Sequence, residues 1–212
     1  MADRKSRNKK GRSFASWFRN VFLYHYLKPT IGVLVLLIIA FIFLKDVFNK
    51  VNPDFTLVIG SIDIWREEDL ESIKSVIKDE VGDVNGDGTV EVRVEVYTPT
   101  LDLSDDYGQQ NLNALDMTIL GNPDKILFIL DEELSLRYEP EYFEKLSDYG
   151  IESEDDHFYK INDLPVFKRL LVVDDPYFMC LKGWNISEKD NQKYIKNYDL
   201  AVRVMKRLIE ED

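Results

Sequence analysis

The 212-residue chain has a single cysteine, Cys180, and only two histidines, His25 and His157. One thiol excludes an internal disulfide framework and any Cys-cluster zinc site, and two distant imidazoles leave no ligand set for most His-dependent metal chemistry. Positive charge is scarce too: 27 Lys and Arg face 39 Asp and Glu, a net charge of −12 with an isoelectric point near 4.7. That balance excludes a generic nucleic-acid binder, because affinity for a phosphate backbone needs a basic surface. There is no internal repeat, and no low-complexity stretch longer than the acidic run Glu152–Asp156.

The bases that are present are concentrated. Residues 1–28 hold eight Lys or Arg and one Asp, a local charge of +7, which leaves −19 for residues 29–212. Immediately after the basic segment come sixteen uncharged residues, Pro29 to Leu44, apolar from Ile31 onward except at Gly32. A run of this kind, lengthened by Lys28 and Lys45 reaching outward and by flanking aromatics such as Tyr24, Tyr26 and Phe48, predicts a transmembrane helix over 29–48. No small-x-small cleavage site follows it, so it reads as a signal anchor that is retained. Lys and Arg in short flanking segments stay inside, which predicts a cytoplasmic N-terminus, with 1–28 as a basic cytoplasmic and interfacial segment. After a linker at 49–54, residues 55–212 are expected to form one acidic extracellular domain.

Within that domain the periodicities predict an α/β fold. Phe55–Ile59 is an apolar run ending at Gly60-Ser61, a first strand. Leu70, Ile73, Val76, Ile77 and Val81 form one helical stripe, with acids at its start and Gly82 as its stop. From Thr89 to Tyr97 valine alternates with polar residues, an edge strand with one wet face. A helix over Gln109–Leu120 and a continuously apolar strand at Ile126–Leu130 complete a βαβαβ pattern. Right-handed crossovers then give a mostly parallel sheet in the order 2-1-3. Further short strands at Leu170–Val173 and Phe178–Leu181 and a long C-terminal helix over Glu188–Ile209, begun by Ser187, follow.

Two places could carry chemistry. The run Asp83-Val-Asn85-Gly-Asp87-Gly88-Thr89-Val-Glu91 places oxygens at positions 1, 3, 5, 7 and 9 of an EF-hand-like loop, so calcium is the one cofactor the sequence suggests. Val94 stands where the bidentate acid belongs, and Asp79, Asp102, Asp105 or Asp106 would have to replace it. The same letters equally spell a tight turn into a strand with no ion. The second place is the carboxyl end of the central strands, at Ser61 and Asp131, where open α/β sheets bind ligands. Catalysis finds no support: Cys180 sits among Phe178, Met179 and Leu181 as a small hydrophobe, and His157 lies in the acidic loop.

Phe55–Ser61 with its helix, Asp83–Gly88 leading into the Val-alternating strand, Ile126–Asp131, and Leu181-Lys-Gly-Trp184 before the last helix together resemble small membrane-anchored bacterial proteins. Their outer domain is similar to one lobe of the extracellular solute-binding proteins of ABC importers. The resemblance implies a non-catalytic binding module, with Ser61, Asp131 and Trp184 as ligand contacts and a small ligand as partner. The alternative is an assembly partner of another envelope protein, and an envelope enzyme comes third. An apolar pocket at the strand ends favours the first reading, and an exposed apolar patch favours the second.

Overall fold

A computed structural model describes residues 17–18, 24, 26–48, 52–100, 102, 104–168, 175–183 and 191–210. The chain divides into two compact units, Met1–Val51 and Asn52–Asp212.

In the first unit, helix α1 runs from Leu27 to Phe48. Its described side chains, Leu27 to Ile42, are exposed all the way round, including Ile31, Leu36 and Phe41. Among the described residues, no helix is long and apolar enough to cross a membrane.

The second unit carries a five-stranded sheet in the order β2-β1-β3-β5-β4, built from β1 (Phe55–Gly60), β2 (Val92–Tyr97), β3 (Leu127–Asp131), β4 (Tyr159–Lys160) and β5 (Tyr177–Leu181). β2, β1 and β3 are parallel, in the predicted order 2-1-3, with Ile59 paired to both Val96 and Ile129. Helix α2 (Glu67–Val81) makes the first crossover and α3 (Asp106–Gly121) the second. The sheet is mixed, however, and not mostly parallel, because β5 is antiparallel to β3 and β4 to β5. Between β3 and β5 lie short α4 (Glu132–Arg137), two 3-10 turns, β4 and α5 (Pro165–Lys168). Among the described residues no single helix carries the chain back across the sheet there, and β5 re-enters beside the end where β3 leaves, with Tyr177 opposite Asp131. The strand expected at Leu170–Val173 and the helix start at Ser187 lie outside the described residues. Helix α6 spans Gln192–Glu210.

β1 and β3 are buried on both faces, which is why they read as unbroken apolar runs. Leu57, Ile59, Leu127 and Ile129 face one layer, where Ile73 and Ile77 of α2 pack with Ala201, Val204, Met205 and Leu208 of α6. Val58, Phe128, Leu130 and Cys180 face the other, against Leu112, Leu115 and Ile119 of α3 and Leu134 of α4. The alternating valines of β2 turn toward the first layer, and the strand forms the edge of the sheet, as predicted. It begins at Val92, three residues later than the alternation suggests, because the loop before it extends through Glu91.

Two glycines shape this arrangement. Gly82 ends α2 at φ 66°, a left-handed angle that L side chains avoid. Gly60 closes β1 where a Cβ would stand 2.8 Å from Leu115 Cδ2 and 2.9 Å from Leu130 Cδ2, so a side chain there would force both leucines to shift.

Candidate functional site

The carboxyl ends of β1 and β3 meet the start of β5, whose Tyr177 pairs with Asp131. Asp131 is the N-cap of α4: one carboxylate oxygen accepts the Leu134 N–H at 2.9 Å. Its other oxygen accepts the Ile62 N–H at 2.7 Å, fastening the loop that leaves β1 to the end of β3. The side chain is buried, and burial is the main cause that pushes its carboxyl pKa upward, with Glu133 and Asp63 adding to it and the two amide bonds opposing it.

Beside it, Ser61, Asp63 and Tyr177 form a directed chain of hydrogen bonds. The Tyr177 hydroxyl donates to Asp63 Oδ2 at 2.8 Å. Having given its one proton there, it accepts from the Ser61 hydroxyl at 2.7 Å. Ser61 Oγ in turn accepts the Asp63 backbone N–H at 3.0 Å. Ser61 and Tyr177 are fully buried, and burial, reinforced by the bond to Asp63, pushes the Tyr177 phenol up. The Tyr177 backbone N–H is held by Asn162 Oδ1 at 2.7 Å. Trp65 stands edge-on against the Tyr177 ring at 5.6 Å, with its indole N–H buried and unbonded.

Ser61 and Asp131 are therefore brought together as the strand-end argument expects, and the atoms expected to meet a ligand bond to protein groups. Trp184 lies outside the described residues. Tyr177, Asp63 and Trp65 are the members that sequence reasoning missed. Asp63 and Trp65 were within reach, because Ser61-Ile-Asp-Ile-Trp65 keeps alternating polar and apolar residues past the end of the strand. Tyr177 meets Ser61 across 116 positions, and no local signal announces that.

The loop Asp83–Glu91 is equally self-contained. Asp83 accepts the Gly86 N–H on one oxygen and the Gly88 N–H on the other, at 2.7 and 2.9 Å. Asn85 Oδ1 accepts the Asp87 N–H, and Asp87 Oδ1 takes both the amide and the hydroxyl of Thr89. The Thr89 hydroxyl is the leading reason why the Asp87 pKa is lowered. The additional carboxylate comes from Asp54, a residue the sequence assigns to the linker. It accepts the Val84 and Asn85 N–H groups on one oxygen and the Glu91 N–H on the other. None of the acids proposed for position 12 fills it: Asp79 is exposed on α2, Asp105 caps α3, and Asp102 bonds Ser104. Asp102, Asp105 and Asp106 also follow β2, whereas the loop precedes it, a strand length of about 20 Å away.

Among the described residues, no group of three or more His, Cys, Asp or Glu converges on a point that could hold a metal. Within 83–91, Asp83 accepts amides on both oxygens, and Val94, at the position of the bidentate acid, packs against the first layer. Adding calcium or a chelator is expected to leave the thermal unfolding midpoint unchanged. A calcium-dependent rise in the midpoint would show that the loop binds the ion.

No protein-family model, no curated protein and no solved structure matches this chain.

Proposed function

We infer that the chain is a single-pass membrane protein whose Asn52–Asp212 unit is a non-catalytic interaction module. On this reading it faces the cell exterior, and its element order follows that of one solute-binding lobe. The anchor rests on the sequence, in which sixteen uncharged residues, Pro29 to Leu44, apolar from Ile31 onward except at Gly32, are flanked by Lys28 and Lys45. Over Ile31–Ile42 the exposed side chains are apolar on every side, as suits a helix surrounded by lipid, and the basic N-terminal segment gives the orientation.

One observation carries the interaction reading: the polar groups at the strand ends turn inward onto one another while large apolar side chains stand outward around them. Ile64, in the loop after β1, is 88% exposed, and Leu136, on α4 after β3, is 80% exposed. They share this rim with Asp63, Glu67, Glu68, Glu132 and Glu133. Apolar anchors among acids suit a protein partner that presents apolar side chains flanked by Lys or Arg. A small solute would need the Ser61 and Asp131 atoms that are already bonded.

The test compares the full chain in mild detergent with an Ile64→Asp, Leu136→Asp double variant, each used to capture partners from solubilised envelopes. The wild type is expected to retain a partner that the variant loses and that salt near 1 M releases, since a Debye length of about 3 Å screens the acidic rim. Identical captures by the two proteins remove the reading.

A further inference from the structure

The two faces of the sheet are covered unequally. Helices α2 and α6 lie over one, whereas α3 is the single long helix over the other. The solvent side of α2 is charged, with Glu67, Glu68, Glu71, Lys78 and Asp79 exposed, as a surface helix normally is. That of α3 is different. After Asp106 in the first turn, the exposed positions Tyr107, Gln110, Asn113, Ala114, Met117 and Leu120 carry no charge, and Tyr107 and Met117 are each 73% exposed. The other acid of the helix, Asp116, is held by Arg137 at 3.1 Å and by the Tyr138 hydroxyl at 2.7 Å. This neutral face lies on a unit with 17 Lys and Arg against 37 Asp and Glu, a net charge of −20.

We propose that the outer face of α3 docks a second copy of this chain, the two α3 helices crossing antiparallel about a two-fold axis at Ala114. Charge is the first argument. Two units of −20 repel one another over acidic surface, so a self-contact is tolerated only where the surface is neutral. A basic partner, by contrast, gains nothing from an uncharged face and is drawn to the acidic rim. Symmetry is the second argument, because a two-fold interface must complement itself. About Ala114, Tyr107 of one helix falls opposite Gly121 of the other, and a Cβ at Gly121 has nothing within 4 Å, so there is room for the ring. Met117 falls against the partner's Gln110–Asn111 turn, where its flexible thioether adapts to a polar neighbour. Alanine at the crossing lets the two backbones approach closely. The contact uses none of the rim residues Ile64 and Leu136.

The test is cysteine cross-linking of the full chain in mild detergent. Cys180 is buried and stays silent as the background thiol. With the axis at Ala114, the two Cα atoms of an Ala114→Cys variant come within disulfide range. It is expected to form a covalent dimer at least about tenfold faster than Ser75→Cys on the exposed side of α2, as residence in a complex raises effective concentration over collision. Adding Met117→Asp should bring the rate down to that of Ser75→Cys. The rim pair Ile64→Asp, Leu136→Asp should leave it unchanged, so the two surfaces stand or fall separately. Equal rates for the Ala114 and Ser75 variants, indifference to Met117→Asp, or a cross-link to a different protein each overturn the proposal.

Discussion

Replacing Asp131 with Ala is expected to lower the unfolding free energy of the Asn52–Asp212 unit by about 3 kcal/mol. Two backbone donors, the part-buried N–H of Ile62 and the buried N–H of Leu134, lose this acceptor, and a buried N–H left without a partner costs roughly 1–3 kcal/mol. The loss also removes the cap of α4 and frees the loop after β1, so it falls on two elements at once. Asp131→Asn keeps one acceptor oxygen and is expected to lose roughly half as much. Urea unfolding of the full chain in detergent, followed by near-ultraviolet circular dichroism, measures both.

The same residue gives a pH signature. Burial raises its folded pKa, so between the unfolded value, about 4, and the folded value the native state binds more proton than the unfolded one. This contribution to stability is therefore complete below about pH 4 and is lost as the pH rises through the folded pKa. Asp131→Asn flattens the unfolding midpoint across that window. A variant profile that keeps the wild-type slope assigns the titration to another group.

The second large effect is expected at Tyr177, a fully buried side chain among the largest in the unit. Tyr177→Ala should cost about 4 kcal/mol, through the cavity beneath Trp65 and the loss of the hydroxyl that joins Ser61 to Asp63. Tyr177→Phe isolates the hydroxyl and should cost about 1–2 kcal/mol. If the chain of hydrogen bonds acts as a unit, Ser61→Ala combined with Tyr177→Phe destabilises by less than the sum of the two single changes. Strict additivity breaks the network into separate contacts.

What was legible in the sequence follows the range of the interactions. The valines of β2 and the stripe Ile73, Ile77, Val81 of α2 announce their faces because the periods of strand and helix are local properties. The parallel order of β2, β1 and β3 followed from chirality applied to short connections. The antiparallel entry of β5 did not, because the chain reaches it through short turns whose direction no period encodes. At the strand ends, Ser61 and Asp131 were found because topology places ligand sites there, yet topology is silent on whether the atoms face outward. Tyr177 decides that, and it arrives from the far part of the chain. At the acidic loop the motif was legible and its bonding was not: its carboxylates accept backbone amides, and Asp54 joins them from a segment that reads as linker.

The position of β1 also has a mechanical side. The chain enters the Asn52–Asp212 unit directly into its central parallel strand, paired along Phe55–Gly60 with β2 and along Leu57–Gly60 with β3. A pull transmitted through the residues before Asn52 is directed along that strand and strains both ladders in shear, so many hydrogen bonds must yield together. At an edge, they would open one by one. The carboxylate of Asp54, gripping three amides at the point of entry, meets such a load first. On the anchored reading proposed above, a unit built in this way would bear tension along its central strand.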